Sequence, residues 1–143
     1  MAARKKALSV ADLMCSEVST LKSNDPLSVA DDVMRLGRIR HMPVVSDDDE
    51  SEVIGVVSQR DMFRGALARS LGYGAVAQQH LLSMLKVKEV MTTTVETVTP
   101  ETSLQEAAGL MVEHKIGCLI VVSEGRMVGI VTETDFVAMV ADS

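Results

Sequence analysis

Two seven-residue stretches, GVVSQRD at 55–61 and GIVTETD at 129–135, place a hydroxyl three residues ahead of a carboxylate. At a helix start that spacing is a capping box, with Ser58 or Thr132 as the cap and Asp61 or Asp135 in place of the usual Glu or Gln. The same groups also suit a nucleotide. A helix N-terminus offers N–H groups and a positive dipole end to phosphate, a hydroxyl adds a donor, and a carboxylate can accept from a ribose diol. The two roles are compatible, because a carboxylate has spare lone pairs. Gly55 and Gly129 precede the pattern inside strand-like runs, where glycine often marks close approach of a ligand or another backbone.

Composition bounds what else the chain can do. Its 143 residues carry a formal charge of −6 with no Trp, one Tyr and two Phe. That argues against nucleic acid, which calls for a basic face or stacking aromatics. Cys15 and Cys118 are too few for a disulfide framework or a four-Cys zinc site and read as packed thiols. The start, MAARKKALSV, lacks the apolar segment and cleavage site of a leader, and no apolar run reaches the roughly 20 residues of a membrane span. The expected location is cytoplasmic. Asp47-Asp48-Asp49-Glu50 lacks the spaced ligands and glycine of a calcium loop and reads as a solvated hairpin tip. No nucleophile–base pair, metal-ligand spacing or phosphate-binding glycine loop appears, so no enzyme is expected and no cofactor is required.

The elements that position the two acids come in duplicate. Met14 falls on Met91 at a shift of 77 (91 − 14), and so do Leu27 on Leu104, Ala30 on Ala107, Met34 on Met111 and Val44 on Val121. Beyond DDDESE the shift becomes 74 (129 − 55), as Gly55 on Gly129 and Asp61 on Asp135 show. Insertions sit in surface turns, so the break predicts a hairpin loop. Each copy reads as a short β run (VSTL; VETV), an amphipathic helix with apolar residues at three- and four-residue spacing, two short β-branched runs, and a closing helix. The fold class is therefore α+β, with β-α-β-β-α twice. The expected layout is an extension over 1–9, copies over 10–70 and 87–141, and a connector over 71–86 packed through Leu81, Leu82, Met84 and Leu85. A half of roughly 60 residues buries too little apolar area to be comfortable alone, so the copies are expected to pack sheet to sheet about a pseudo-twofold axis with clefts between them. Many of the ten methionines fall on periodic helix faces and are assigned to the core.

In this order and twice over, several features resemble the CBS (cystathionine beta-synthase) domain family in its tandem form. They are Met14 and Met91, Asn24-Asp25-Pro26 and Thr99-Pro100-Glu101, RIRHMPVVS, and the two glycine-to-aspartate stretches. The resemblance spans Val10 to Val140. It implies a regulatory module that binds AMP, ADP, ATP or S-adenosylmethionine between the repeats, an energy-sensing role, a disc-shaped homodimer, and a separate effector protein as the target. It further implies one cleft of Ser58, Arg60 and Asp61 with Thr97, Lys115, Ile116, Gly117 and Cys118. The other joins Thr132 and Asp135 to Thr20, Arg40, His41, Met42 and Pro43. On that grouping the basic pair Arg40-His41 directs phosphorylated ligands to Asp135. Read without the resemblance, Arg38, Arg40 and His41 are a solvated helix end, since basic residues suit helix C-termini. A ligand-free assembly module and a nucleotide-acting enzyme are the alternatives.

Overall fold

Helices α2 (Leu27–Gly37) and α4 (Leu104–His114) show how closely the copies follow one plan. Leu27, Ala30 and Met34 line the buried face of the first, and Leu104, Ala107 and Met111 that of the second. Each helix ends on a cation in the left-handed region, Arg38 at φ 54° and Lys115 at φ 54°. The next N–H reaches back to the helix, Ile39 to the Met34 carbonyl and Ile116 to that of Met111, both at 3.1 Å. That closure is the usual helix stop, ordinarily made by glycine.

The computed structural model describes residues 9–70, 80 and 82–142. The chain divides into two units, Ser19–Val95 and a second made of Met1–Val18 with Glu96–Ser143. The first unit holds a three-stranded sheet of β1 (Leu21–Lys22), β2 (His41–Val45) and β3 (Val53–Ser58), in that order. The second repeats it with β4 (Thr97–Val98), β5 (Cys118–Ser123) and β6 (Arg126–Thr132). In both, the first strand runs parallel to the second and the second antiparallel to the third. The closing helices are α3 (Gln59–Ser70) and α5 (Glu133–Ala141). The order in each unit is thus β-α-β-β-α, and the fold is α+β.

The three-residue difference between the copies does fall in the hairpins. Residues 46–52 make the first, with Asp47 to Glu50 all exposed. The second turns on Glu124 at φ 53° and Gly125 at φ 78°, two consecutive positive φ values. A two-residue turn of that hand matches the twist of the flanking strands. Each hairpin also carries a bulge at the same place, between Val44 and Val45 and between Val121 and Val122.

Each unit has its own apolar core. Met34, Met42 and Met62 are fully buried or nearly so in that of Ser19–Val95, which also takes in Leu82 and Leu85 from the connector. Met84 is 63% exposed, so it does not share the packing expected of it, and Leu81 lies outside the described residues. The second core gathers Val10, Val98, Leu104, Ala107, Met111, Leu119, Val121 and Val131. Val10 opens a short helix, α1 (Val10–Leu13), whose cap Ser9 donates its N–H to Asp12 Oδ2 at 3.0 Å.

The units are therefore offset from the repeats in sequence, because each copy gives its leading segment to the other copy's sheet. Cys15 and Ile130 exchange both backbone hydrogen bonds, at 2.8 and 2.9 Å, and Thr92 and Val56 do the same, both at 2.9 Å. The leading segment of the second copy contains a 3-10 turn, Val87–Glu89. Ahead of it Leu27 N–H donates to the Leu85 carbonyl at 2.7 Å. We refer to the two crossing segments as straps.

The strand glycines follow from these crossings. A Cβ on Gly55 would lie 2.8 Å from Met91 Sδ and 3.0 Å from the Thr92 carbonyl oxygen. On Gly129 it would lie 2.8 Å from Met14 Sδ and 2.9 Å from that of Cys15. The methionine sulfur is the nearer atom in both cases but can move, whereas the paired backbone carbonyl behind it cannot. Gly55→Ala and Gly129→Ala should each cost about 1–3 kcal/mol, as overpacking does. Trimming Met91 or Met14 to Ala in the same chain should fail to restore the loss. Urea unfolding midpoints check this, and full rescue by the methionine change would mean that the thioether alone sets the limit.

Candidate functional site

In each unit the third strand ends on the hydroxyl residue and the closing helix begins at once. Ser58 is the last residue of β3 and its Oγ accepts the Asp61 N–H at 2.9 Å. Gln59 N–H donates to the Arg40 carbonyl at 2.8 Å, and the matching Glu133 N–H to that of Gly117 at 3.1 Å. Two of the first three N–H groups of α3 are thus satisfied within the protein. The helix start offers phosphate fewer free donors than the sequence alone suggests.

The carboxylates behave differently. Asp135 Oδ2 accepts the Thr132 N–H at 2.8 Å and the Thr132 hydroxyl at 3.3 Å, closing the reciprocal arm of a capping box. Asp61 Oδ2 instead faces the Thr92 hydroxyl at 3.5 Å, across from the strap. Both acids are half-buried. Thr92 did not figure among the residues singled out from sequence. Its place depends on the strap crossing, and a threonine after a methionine carries no signal of that.

The sheet register decides which other residues stand near each acid. His41 lies opposite Ser58, and Cys118 opposite Thr132. Arg40, His41, Ser58, Arg60 and Asp61 therefore come together at one end of the sheet in Ser19–Val95. The resemblance assigned Arg40 and His41 to Asp135, whose own unit presents Gly117 and Cys118 at those positions. Arg40 and Arg60 are exposed, whereas Met42 is fully buried in the core and Pro43 is buried beside it, leaving little of either side chain to a ligand. Thr20 and Thr97 are exposed at the first strands, Ile116 and Gly117 are half-buried, and Lys115 is exposed. The structure brings Thr97, Lys115, Ile116, Gly117 and Cys118 into the unit of Asp135, and Thr20 into that of Asp61. Among the described residues, no group of three or more His, Cys, Asp and Glu could hold a metal ion. No described helix is long and apolar enough to cross a membrane. His80 and His114 are exposed, the latter 3.9 Å from Glu96.

The model of the CBS domain matches residues 10–67 and again 87–142. The chain belongs to the CBS domain family. Among solved structures, this CBS pair is similar to an acetoin utilization protein (AcuB) of Vibrio cholerae, with 36% identity and a TM-score of 0.76 over 94% of this chain and 90% of that one. It is 30% identical to hypoxic response protein 1 of Mycobacterium tuberculosis across 87% of this chain and 79% of that protein. A likeness at 23% identity and a TM-score of 0.74, covering 94% and 96% of the two chains, is to the CBS pair of protein MJ0100, solved with 5′-methylthioadenosine and S-adenosylmethionine. An uncharacterised Methanocaldococcus jannaschii protein shares 30% identity over 91% of the chain, which spans 42% of that relative's length. A homoserine O-acetyltransferase of Methanococcus vannielii is matched over 23% of its length.

The two acids of the CBS pair should differ in what they do for stability. Asp135→Ala removes a short cap bond and should cost about 1 kcal/mol, the usual worth of an N-cap. Asp61→Ala loses only a long contact and should cost clearly less. Denaturant midpoints without added ligand measure both, and equal losses would show that the carboxylates are structurally equivalent.

Proposed function

We propose that this CBS pair is a regulatory module that binds an adenosine-containing ligand, AMP, ADP, ATP or S-adenosylmethionine, and acts on a separate effector protein. The observation that carries the reading is the duplicated site. In each unit a strand ends on a hydroxyl, a helix begins, and a half-buried carboxylate stands one turn in. A ribose diol can use the carboxylate, and cations at the same end of the sheet suit phosphate. The methylthioadenosine and S-adenosylmethionine bound by the fold neighbour are both adenosine compounds, which agrees with this ligand class.

Phosphate-bearing ligands belong on this reading to the Asp61 site. Arg40 and Arg60 stand there, with His41 opposite Ser58 in the register. The Asp135 unit offers Lys115 but has Gly117 and Thr134 where the other has Arg40 and Arg60. A less charged adenosine compound suits it better. Regulation requires that the ligand favour one arrangement of the module over another. The module is proposed to be a cytoplasmic homodimer. The second reading, assembly as the function in itself, draws on Val137 and Val140, each 68% exposed on α5.

A thermal-shift series with AMP, ATP, S-adenosylmethionine and methylthioadenosine tests the proposal. Ligand at 100 times its dissociation constant adds about 2.7 kcal/mol of stability. Asp61→Ala and Arg40→Ala should each weaken AMP more than Asp135→Ala does. No shift with any of the four compounds would favour assembly, and equal AMP losses from the two aspartate changes would defeat the assignment of phosphate to Asp61.

A further inference from the structure

Repeat symmetry makes Thr92 and Cys15 equivalent, and the backbone honours it. Each exchanges two hydrogen bonds with its strand partner, Val56 or Ile130, and each follows a methionine seated against the strand glycine. Only the side chains differ. Thr92 presents a hydroxyl to Asp61, whereas the Cys15 thiol turns to the Glu17 carbonyl at 3.4 Å. A hydroxyl donates well to a carboxylate, and a thiol does so weakly. Asp135, with cysteine on its strap, closes onto its own cap at 2.8 Å. Among the described residues the Asp61 carboxylate has Thr92 as its sole partner, at a distance beyond the usual O–H···O range of about 2.5–3.0 Å.

We propose that Thr92 is a positioning residue: its hydroxyl draws the Asp61 carboxylate off the helix cap and keeps it turned outward. The contact is loose enough to be given up to an incoming diol. Cys15 exerts no such pull, so Asp135 is spent mainly on its cap. One strap residue thereby makes the Asp61 unit the better receptor for a ribose, and a ligand there displaces a contact with the strap itself. The binding consequence rests on the adenosine reading above; the carboxylate geometry does not.

Two measurements separate the inference from that reading. Unliganded crystal structures of the full chain should show Asp61 closing onto the Ser58 N–H in Thr92→Val and staying outward in Thr92→Ser. In Cys15→Thr, Asp135 should open toward the strap. Calorimetric titration with AMP should then show Thr92→Val binding roughly tenfold more weakly, the scale of one hydrogen bond to a charged group, with Thr92→Ser keeping the native affinity. An Asp61 carboxylate unmoved in Thr92→Val would overturn the proposal. So would closure brought about by Ser58→Thr alone, which would give control to the cap residue. A native chain that binds neither AMP nor S-adenosylmethionine would defeat the ligand reading, and the carboxylate positions would still decide this one.

Discussion

The structure depends on a backbone crossing made twice. The straps at Cys15 and Thr92 each lie against a strand of the other repeat and exchange two hydrogen bonds with it, to Ile130 and to Val56. Such a pairing gives partners to backbone groups on the free edge of the third strand in each sheet. It also demands room. The strand opposite has to lack a side chain where the strap passes, and Gly55 and Gly129 supply that gap at a bulge. Met91 and Met14 then fill the gap with flexible thioethers, a use that suits an unbranched side chain.

From this crossing follows the division of the molecule into units that are not the repeats. Residues 10–18 open the first copy yet build the unit of the second, and residues 87–95 open the second copy yet complete the unit of the first. Neither sheet is finished by its own repeat. A copy cut out at its sequence boundaries would lose a strap and the buried contacts of Val10 or Val87. That is the physical reason a repeat of this length occurs paired.

The site inherits both the duplication and a departure from it. A strand running straight into a helix puts a hydroxyl, a helix start and a carboxylate together in either unit, so local sequence dictates the common part. What differs is supplied from outside the motif. The register brings Arg40 and His41 to the Ser58 end of one sheet, where the other has Gly117 and Cys118. One strap brings the Thr92 hydroxyl to Asp61, whereas the equivalent residue of the other strap, Cys15, turns its thiol to the Glu17 carbonyl. Two motifs alike in sequence thus end with one carboxylate bonded to its cap and the other 3.5 Å from the strap hydroxyl.

The sequence by itself determined what depends on local periodicity and on self-comparison. The repeat, the β-α-β-β-α order, the hairpin at DDDESE and the buried faces of Leu27, Ala30 and Met34 all follow from spacing, because a helix or strand face is set by residues a few positions apart. The capping role of Thr132 and Asp135 was legible for the same reason. Tertiary structure decided what depends on segments far apart in the chain. The glycines gave notice that something comes close, but only the fold shows that it is the opposite copy's backbone. Arg40 was visible as a cation in the sequence, and only the register of β2 on β3 gave it a neighbour. Thr92 meets Asp61 across 31 positions of sequence, and no pattern of nearby residues records a contact made by a chain crossing.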